Sequence, residues 1–192
     1  MVDVKLKCKC GAVQGVANGV SAKSGTRLIC CCKDCQEFAR HLDFDGAILD
    51  ENGGTDIFQA SPKQIKLTHG IEHIRCLRLK PRGLYRWYAG CCNTPIGNTG
   101  KAKIPFVGVI HNFMDDEGQR DQNLGPVRGV FAADSAIGQL PENSRYVSEK
   151  RSMMRAVVKL LLAKIAGHAK YTPFFDENGK SIVEPVIVNS AD

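Results

Sequence analysis

Four cysteines fall within six positions, Cys30, Cys31, Cys32 and Cys35 in the stretch LICCCKDC, and nothing else in the sequence restricts the fold so tightly. Cores use cysteine singly, as a small hydrophobe, so this density calls for a chemical role. The chain holds nine cysteines, an odd number. Neighbours such as Cys30/Cys31 and Cys91/Cys92 are poorly placed to bond to each other without strain. At 192 residues the chain can bury a core without disulfide staples. Metal is therefore the leading reason for the cluster, ahead of buried packing and well ahead of a disulfide framework.

Within the cluster, Cys30, Cys32 and Cys35 read as C-x-C-x2-C. Its C-x2-C half, Cys32-Lys33-Asp34-Cys35, has the spacing of a zinc knuckle, in which the intervening residues turn so that both sulfurs face one ion. Cys31 faces the other way if the segment is extended, which makes it a packing residue or a spare thiol. A second pair lies near the start. Residues 2–10 alternate, with Val2, Val4, Leu6, Cys8 and Cys10 on one parity and charged residues on the other, so a strand would project Cys8 and Cys10 together. Gly11 follows as a turn. A third pair, Cys91/Cys92, ends the aromatic stretch LYRWYAG. A distant pair meeting Cys8 and Cys10 would form a clamp across strands. Zinc is the default metal because soft thiolates select it.

Around these motifs the sequence predicts short strands at Val13–Val20, Arg27–Cys31, Ala47–Leu49, Asp56–Gln59, Gln64–Thr68, Ile74–Leu79 and Leu84–Tyr88, with Gln36–Leu42 as one helical turn. Gly53-Gly54, Pro62, Gly70 and Pro81-Arg82-Gly83 punctuate them. The expected fold is mainly β, in small antiparallel sheets. Residues 1–112 read as a zinc-binding β domain. Residues 113–192 read as an exposed loop (113–126), an amphipathic helix near 147–167 and a C-terminal arm packing on the same domain, Pro185 keeping the arm at a sheet edge. The helix expectation rests on Met154, Val157, Val158, Leu161 and Ile165 at helical spacing, with Gly167 as its stop.

The formal net charge is +6, and the stretch 145–170 carries seven Lys or Arg against one Glu. No aromatic stacking set and no nucleic-acid motif accompany that charge, so nucleic acid is not the expected partner. The N-terminal MVDVKLKC lacks the apolar core of a signal peptide, and no stretch has the length of an uncharged membrane span. A reducing cytoplasm is the expected compartment, since thiols persist there. Cys76, isolated in a strand pattern, reads as core. His69 and His73 are four apart, yet Gly70 argues against a helix that would pair them on a metal, and His41 and His111 could each carry a proton but read by default as surface residues.

CKCGAV at 8–13, C-x-C-x2-C at 30–35 and an aromatic strand running into Cys92-Asn93-Thr94-Pro95 together resemble the glutathione-dependent formaldehyde-activating enzyme family, whose zinc domain also occurs in centromere protein V. The resemblance covers about residues 4–100. It implies small tent-like β sheets pinned by zinc. It also implies a structural zinc on Cys8, Cys10 and a late pair, and a second zinc on Cys30, Cys32 and Cys35 with one position open. The late motif departs from the family: aligning Thr94-Pro95 puts Cys92 on one ligand position and Ala89 on the other. Cys91 could supply the missing sulfur, water could replace it, or the site could be empty.

The resemblance implies a carbon–sulfur lyase type of reaction, the reversible addition of glutathione or a similar thiol to a small aldehyde such as formaldehyde. Lys33, Arg40 and His41 stand near the cluster in sequence as candidate substrate or proton contacts. The alternative is a non-enzymatic zinc module for protein or polyanion interaction, with the basic helix or the late arm as a docking or homodimer surface. A redox-sensing or metal-handling thiol cluster is a third reading, suggested by the adjacent pairs.

Overall fold

The computed structural model describes residues 1–44, 47–115, 118–140 and 172–188, together with Val158, Ile165 and Gly167. In chain order its strands and helices begin with β1 (Val2–Lys7), β2 (Gln14–Val20), β3 (Thr26–Cys30), α1 (Lys33–Leu42) and β4 (Thr55–Ala60). They continue with β5 (Ile65–His69), β6 (Ile74–Arg78), β7 (Tyr85–Ala89), β8 (Thr94–Thr99) and β9 (Val107–Ile110). The last are β10 (Met114–Asp115), α2 (Arg120–Leu124), β11 (Val130–Phe131) and β12 (Val186–Ile187). The fold is mainly β.

The strands form a four-stranded sheet of order β10-β1-β2-β5 and an eight-stranded sheet of order β11-β3-β4-β9-β8-β7-β6-β12. Alternation drives the packing. In β1, Val4 and Leu6 are buried while Asp3, Lys5 and Lys7 face water. They join Phe58, Trp87 and Val109 of the large sheet in one core. Residues of opposite parity on the same strands, Ile57 and Ile110, face a second core with Cys30, Cys35, Phe38 and Leu42. The large sheet is thus covered on one face by the small sheet and on the other by α1. Helix α1 buries Cys35, Phe38 and Leu42 at the spacing of a helical stripe.

Several expectations are corrected. The first strand stops at Lys7, and Cys8 and Cys10 lie in the following turn rather than on a strand face. Gln36–Leu42 is the end of a ten-residue helix that starts at Lys33. Ala47–Leu49 is not a strand; Ile48 is buried in the second core, so its apolar character serves packing. Residues 113–126 are not simply an exposed loop, since Phe113, Met114 and Leu124 are buried and β10 pairs with β1. The sheets are antiparallel except at the edges of the large one, where β11 and β12 run parallel to β3 and β6. The helix expected near 147–167 lies outside the described residues, save Val158, Ile165 and Gly167.

Strand β8 (TPIGNT) was not expected. It reads as turn chemistry, yet all six residues are buried, as a strand covered on both faces must be. Gly97 is required there: a Cβ would stand 2.6 Å from the carbonyl oxygen of Gly108 on β9. Asn98 and Thr99 spend their polar groups on Arg86 and on the Trp87 indole N–H, respectively.

Candidate metal centres

The turn after β1 is shaped around a sulfur. The Cys8 N–H donates to the Val13 carbonyl at 3.0 Å, and Gly11, at φ +80°, lets its own N–H reach the Cys8 carbonyl at 2.9 Å. The Val13 N–H donates to Cys8 Sγ at 3.2 Å. A second tight turn carries Cys91 and Cys92 between β7 and β8. There the Cys92 N–H reaches the Ala89 carbonyl at 3.2 Å, and Asn93 takes a left-handed φ of +54°.

These two turns bring four sulfurs together, those of Cys8, Cys10, Cys91 and Cys92, all within 4.8 Å of one another. Cys10 and Cys91 approach to 3.3 Å, Cys8 and Cys10 to 3.6 Å, Cys91 and Cys92 to 3.9 Å. A tetrahedral site with metal–sulfur bonds of about 2.3 Å spaces its sulfurs about 3.8 Å apart, so the set fits a closed four-sulfur site. Cys91 therefore joins the group although it neighbours Cys92; the bent backbone at Asn93 allows both sulfurs inward.

Thr94 supports this cluster. Its hydroxyl accepts from the Lys9 N–H at 3.0 Å and lies 3.1 Å from Cys92 Sγ, which leaves its own proton for the sulfur. Burial pushes the Cys92 thiol up, but the bonds from Thr94 and from the Cys10 backbone outweigh it and bring the thiol down to about 6. Burial raises Cys8.

The second cluster forms where β3 ends and α1 begins. Cys30 is the last residue of β3, Cys32 caps α1 and Cys35 lies in its first turn. The three sulfurs are mutually within 4.8 Å, with Cys30 at 3.4 Å from Cys32 and 3.5 Å from Cys35. The helix start favours negative charge. Cys32 is accordingly drawn well down, chiefly by the thiols of Cys30 and Cys35, with the Arg86 charge adding, while the same thiol contacts drive Cys30 up.

Cys31 belongs to neither group. It is fully buried, its N–H bound to the Phe131 carbonyl at 2.9 Å, and Gln36 ties its carbonyl to that of Ser135. Burial, with Asp50 second, pushes its thiol up to about 11. Cys76 is likewise buried in the first core and pushed up to about 12. Lys33, Arg40 and His41 occupy the exposed face of α1, and Arg40 pairs with Glu37, so they do not face the three sulfurs. His69 and His73 join no candidate metal group among the described residues. His111 is half-buried rather than fully exposed: burial, followed by the charge of Arg120, lowers its pKa.

Sequence reading missed Arg86. Its guanidinium is almost wholly buried, its Nη1 3.7 Å from Cys35 Sγ and 3.4 Å from Asn98 Oδ1. Parity in LYRWYAG puts Arg86 on the face opposite Trp87, and only the packing of α1 shows that this second face is covered too.

Fold and site define a mainly β, cysteine-rich protein with two sulfur clusters, each of a composition that can hold a metal ion. By sequence the chain belongs to the DUF6151 family, a family of unknown function, whose model matches residues 1–185. A comparison with curated proteins finds no match. No helix among the described residues is long and apolar enough to cross a membrane.

Proposed function

We propose that the protein holds two zinc ions in unequal roles and uses the second for thiol chemistry. Cys8, Cys10, Cys91 and Cys92 would fill all four positions of one ion and act as a structural fastener. Cys30, Cys32 and Cys35 would fill three positions of the other. The observation that carries this reading is that Cys31, the one residue able to close the second set from within the motif, is turned into the core. Three protein sulfurs leave tetrahedral zinc with an open position, the property of a catalytic rather than a closed site.

A zinc ion there would supply Lewis acidity at one exchangeable position. The reaction we propose is the reversible addition of a small thiol, glutathione or similar, to a small aldehyde. The S–C bond forms, the carbonyl π pair takes up a proton, the thiol gives one up, and no oxidant or reductant is needed. The chain's own part is to fix three sulfurs on rigid elements and to keep the site dry: Cys30 and Cys35 sit among Phe38, Leu42 and Ile57. The order of the motifs at 8–13, 30–35 and 92–95, which resembles the formaldehyde-activating family, supports the choice of substrates.

That same burial favours a second reading. Only Cys32 of the three is partly exposed, which suits a structural zinc in a non-enzymatic module as well. Exchange NMR on glutathione and formaldehyde separates the two. Acceleration by the zinc-loaded protein, lost in Cys32→Ser, is expected for the enzyme; no acceleration by the loaded wild type removes this substrate pair and favours the module.

A further inference from the structure

Three thiolates and one dication carry a net charge of −1, and the second cluster lies in an apolar layer where an uncompensated charge is costly. Arg86 is buried in the same layer. Its guanidinium has 2% exposure, lies over the Phe38 ring at 5.4 Å, and directs Nη1 to Cys35 Sγ at 3.7 Å and to Asn98 Oδ1 at 3.4 Å. Among the described residues its nearest carboxylate is Asp34, at 3.8 Å from Nη2; Asp34 is more than a third exposed and is shared with Lys80, whose Nζ stands 3.3 Å from its other oxygen. Among the described residues this buried arginine therefore has one carboxylate, at 3.8 Å and shared with Lys80, and one sulfur cluster beside it.

We infer that Arg86 is the fixed counter-charge of the three-sulfur centre, a positioning residue that holds Cys35 and makes the loaded centre neutral. This rests on the metal reading above, not on the reaction proposed for it. With three thiolates bound, the sulfurs and metal carry −1 in a buried layer, and a fixed cation beside them stabilises that loaded form. The four-sulfur cluster provides a control inside the same molecule. It would carry −2, but two of its cysteines, Cys10 and Cys91, are exposed, and water screens what no buried arginine does.

The test is zinc competition against a chromophoric chelator, with Cys32→Ser and Cys10→Ser marking which binding step belongs to which cluster. Arg86→Met should weaken the three-sulfur step by about tenfold to a hundredfold, in keeping with a unit charge lost at this range. The four-sulfur step should not move, and Arg86→Lys should recover much of the loss. Asp34→Asn, a change at the rim, should tighten the three-sulfur step, because it removes a negative charge that competes for the same guanidinium. Equal weakening of both steps in Arg86→Met would mean a merely structural role. If Arg86→Met does not fold, Asp34→Asn decides: an unchanged or weaker three-sulfur step overturns the inference. A wild type that binds zinc only at the four-sulfur cluster overturns the metal reading of the second site and this inference with it. Two wild-type steps that Arg86→Met leaves alone overturn the inference only.

Discussion

Cys10 and Cys91 are 81 positions apart in sequence and 3.3 Å apart from sulfur to sulfur. One sulfur hangs from the turn that ends the first strand of the small sheet, the other from the turn between β7 and β8 of the large sheet. The contact therefore joins the two layers at one end, where a metal would act as a cross-link closing a long loop.

Removing that cross-link should loosen the sandwich. Chelation, or Cys8→Ser, is expected to lower the melting temperature by about 5–10 °C, the shift that a loss of roughly 2–3 kcal/mol gives a chain of this size. Cys32→Ser should change it far less, because β3 and α1 are already held by sheet pairing and by Phe38 and Leu42. A larger loss in Cys32→Ser than in Cys8→Ser, measured by calorimetry, would mean the two roles are exchanged.

Thiol reactivity should divide the nine cysteines by burial and by metal. In the metal-free folded protein Cys92, partly exposed and brought down to about 6, should alkylate first, ahead of Cys91, whose thiol is pushed up by burial and by its neighbouring thiols. Cys31 and Cys76, buried and pushed up to about 11 and about 12, should alkylate only after unfolding. Zinc should protect the seven cysteines of the two clusters. Timed alkylation followed by peptide mass spectrometry reads the order, and early modification of Cys31 would contradict its placement.

Much of this was legible in the sequence, and the misses have physical causes. Cys8/Cys10 and Cys30/Cys32/Cys35 announced themselves by spacing, because chelation by neighbours is a local property. The partner of the first pair was not local: whether Cys91 joins Cys92 depends on the left-handed turn at Asn93, which no spacing rule encodes. Strand β8 was hidden because its Pro95, Gly97 and Asn98 carry turn chemistry, and only the crowding between β7 and β9 explains them. Arg86 looked like an ordinary charge on a strand until the strand acquired a covered second face.

His111 should make the stability respond to acid. Its pKa is lowered by burial and then by Arg120, and its buried Nδ1 has no hydrogen-bond partner among the described residues. The unfolded chain thus binds a proton at its ordinary value of 6.5 that the folded chain still refuses. The stability tied to neutral His111 is fully present above 6.5 and is lost as the pH falls from 6.5 toward the lower folded value. Urea titrations on the metal-free protein across this window should show less stability at lower pH, with a smaller slope in His111→Gln. An equal slope in that variant would assign the effect elsewhere.

The C-terminal return should be worth more than its length suggests. Phe174 stacks on Trp87 at 4.8 Å between ring centres, and Phe175 meets the same indole edge-on at 5.8 Å. Phe174→Ala is expected to cost about 3–5 kcal/mol, the usual range for a buried phenylalanine. Trp87 is the single tryptophan, so its fluorescence follows the loss directly. A cost under about 1 kcal/mol would mean that the return does not close this core.

Elemental analysis of the purified protein with its cysteine variants tests most directly whether the two sulfur clusters are separate metal centres. The wild type is expected to hold two zinc ions per chain, Cys32→Ser one, and Cys10→Ser one. Protein purified without chelator that carries no metal, with the thiols of both clusters freely titratable, would contradict it.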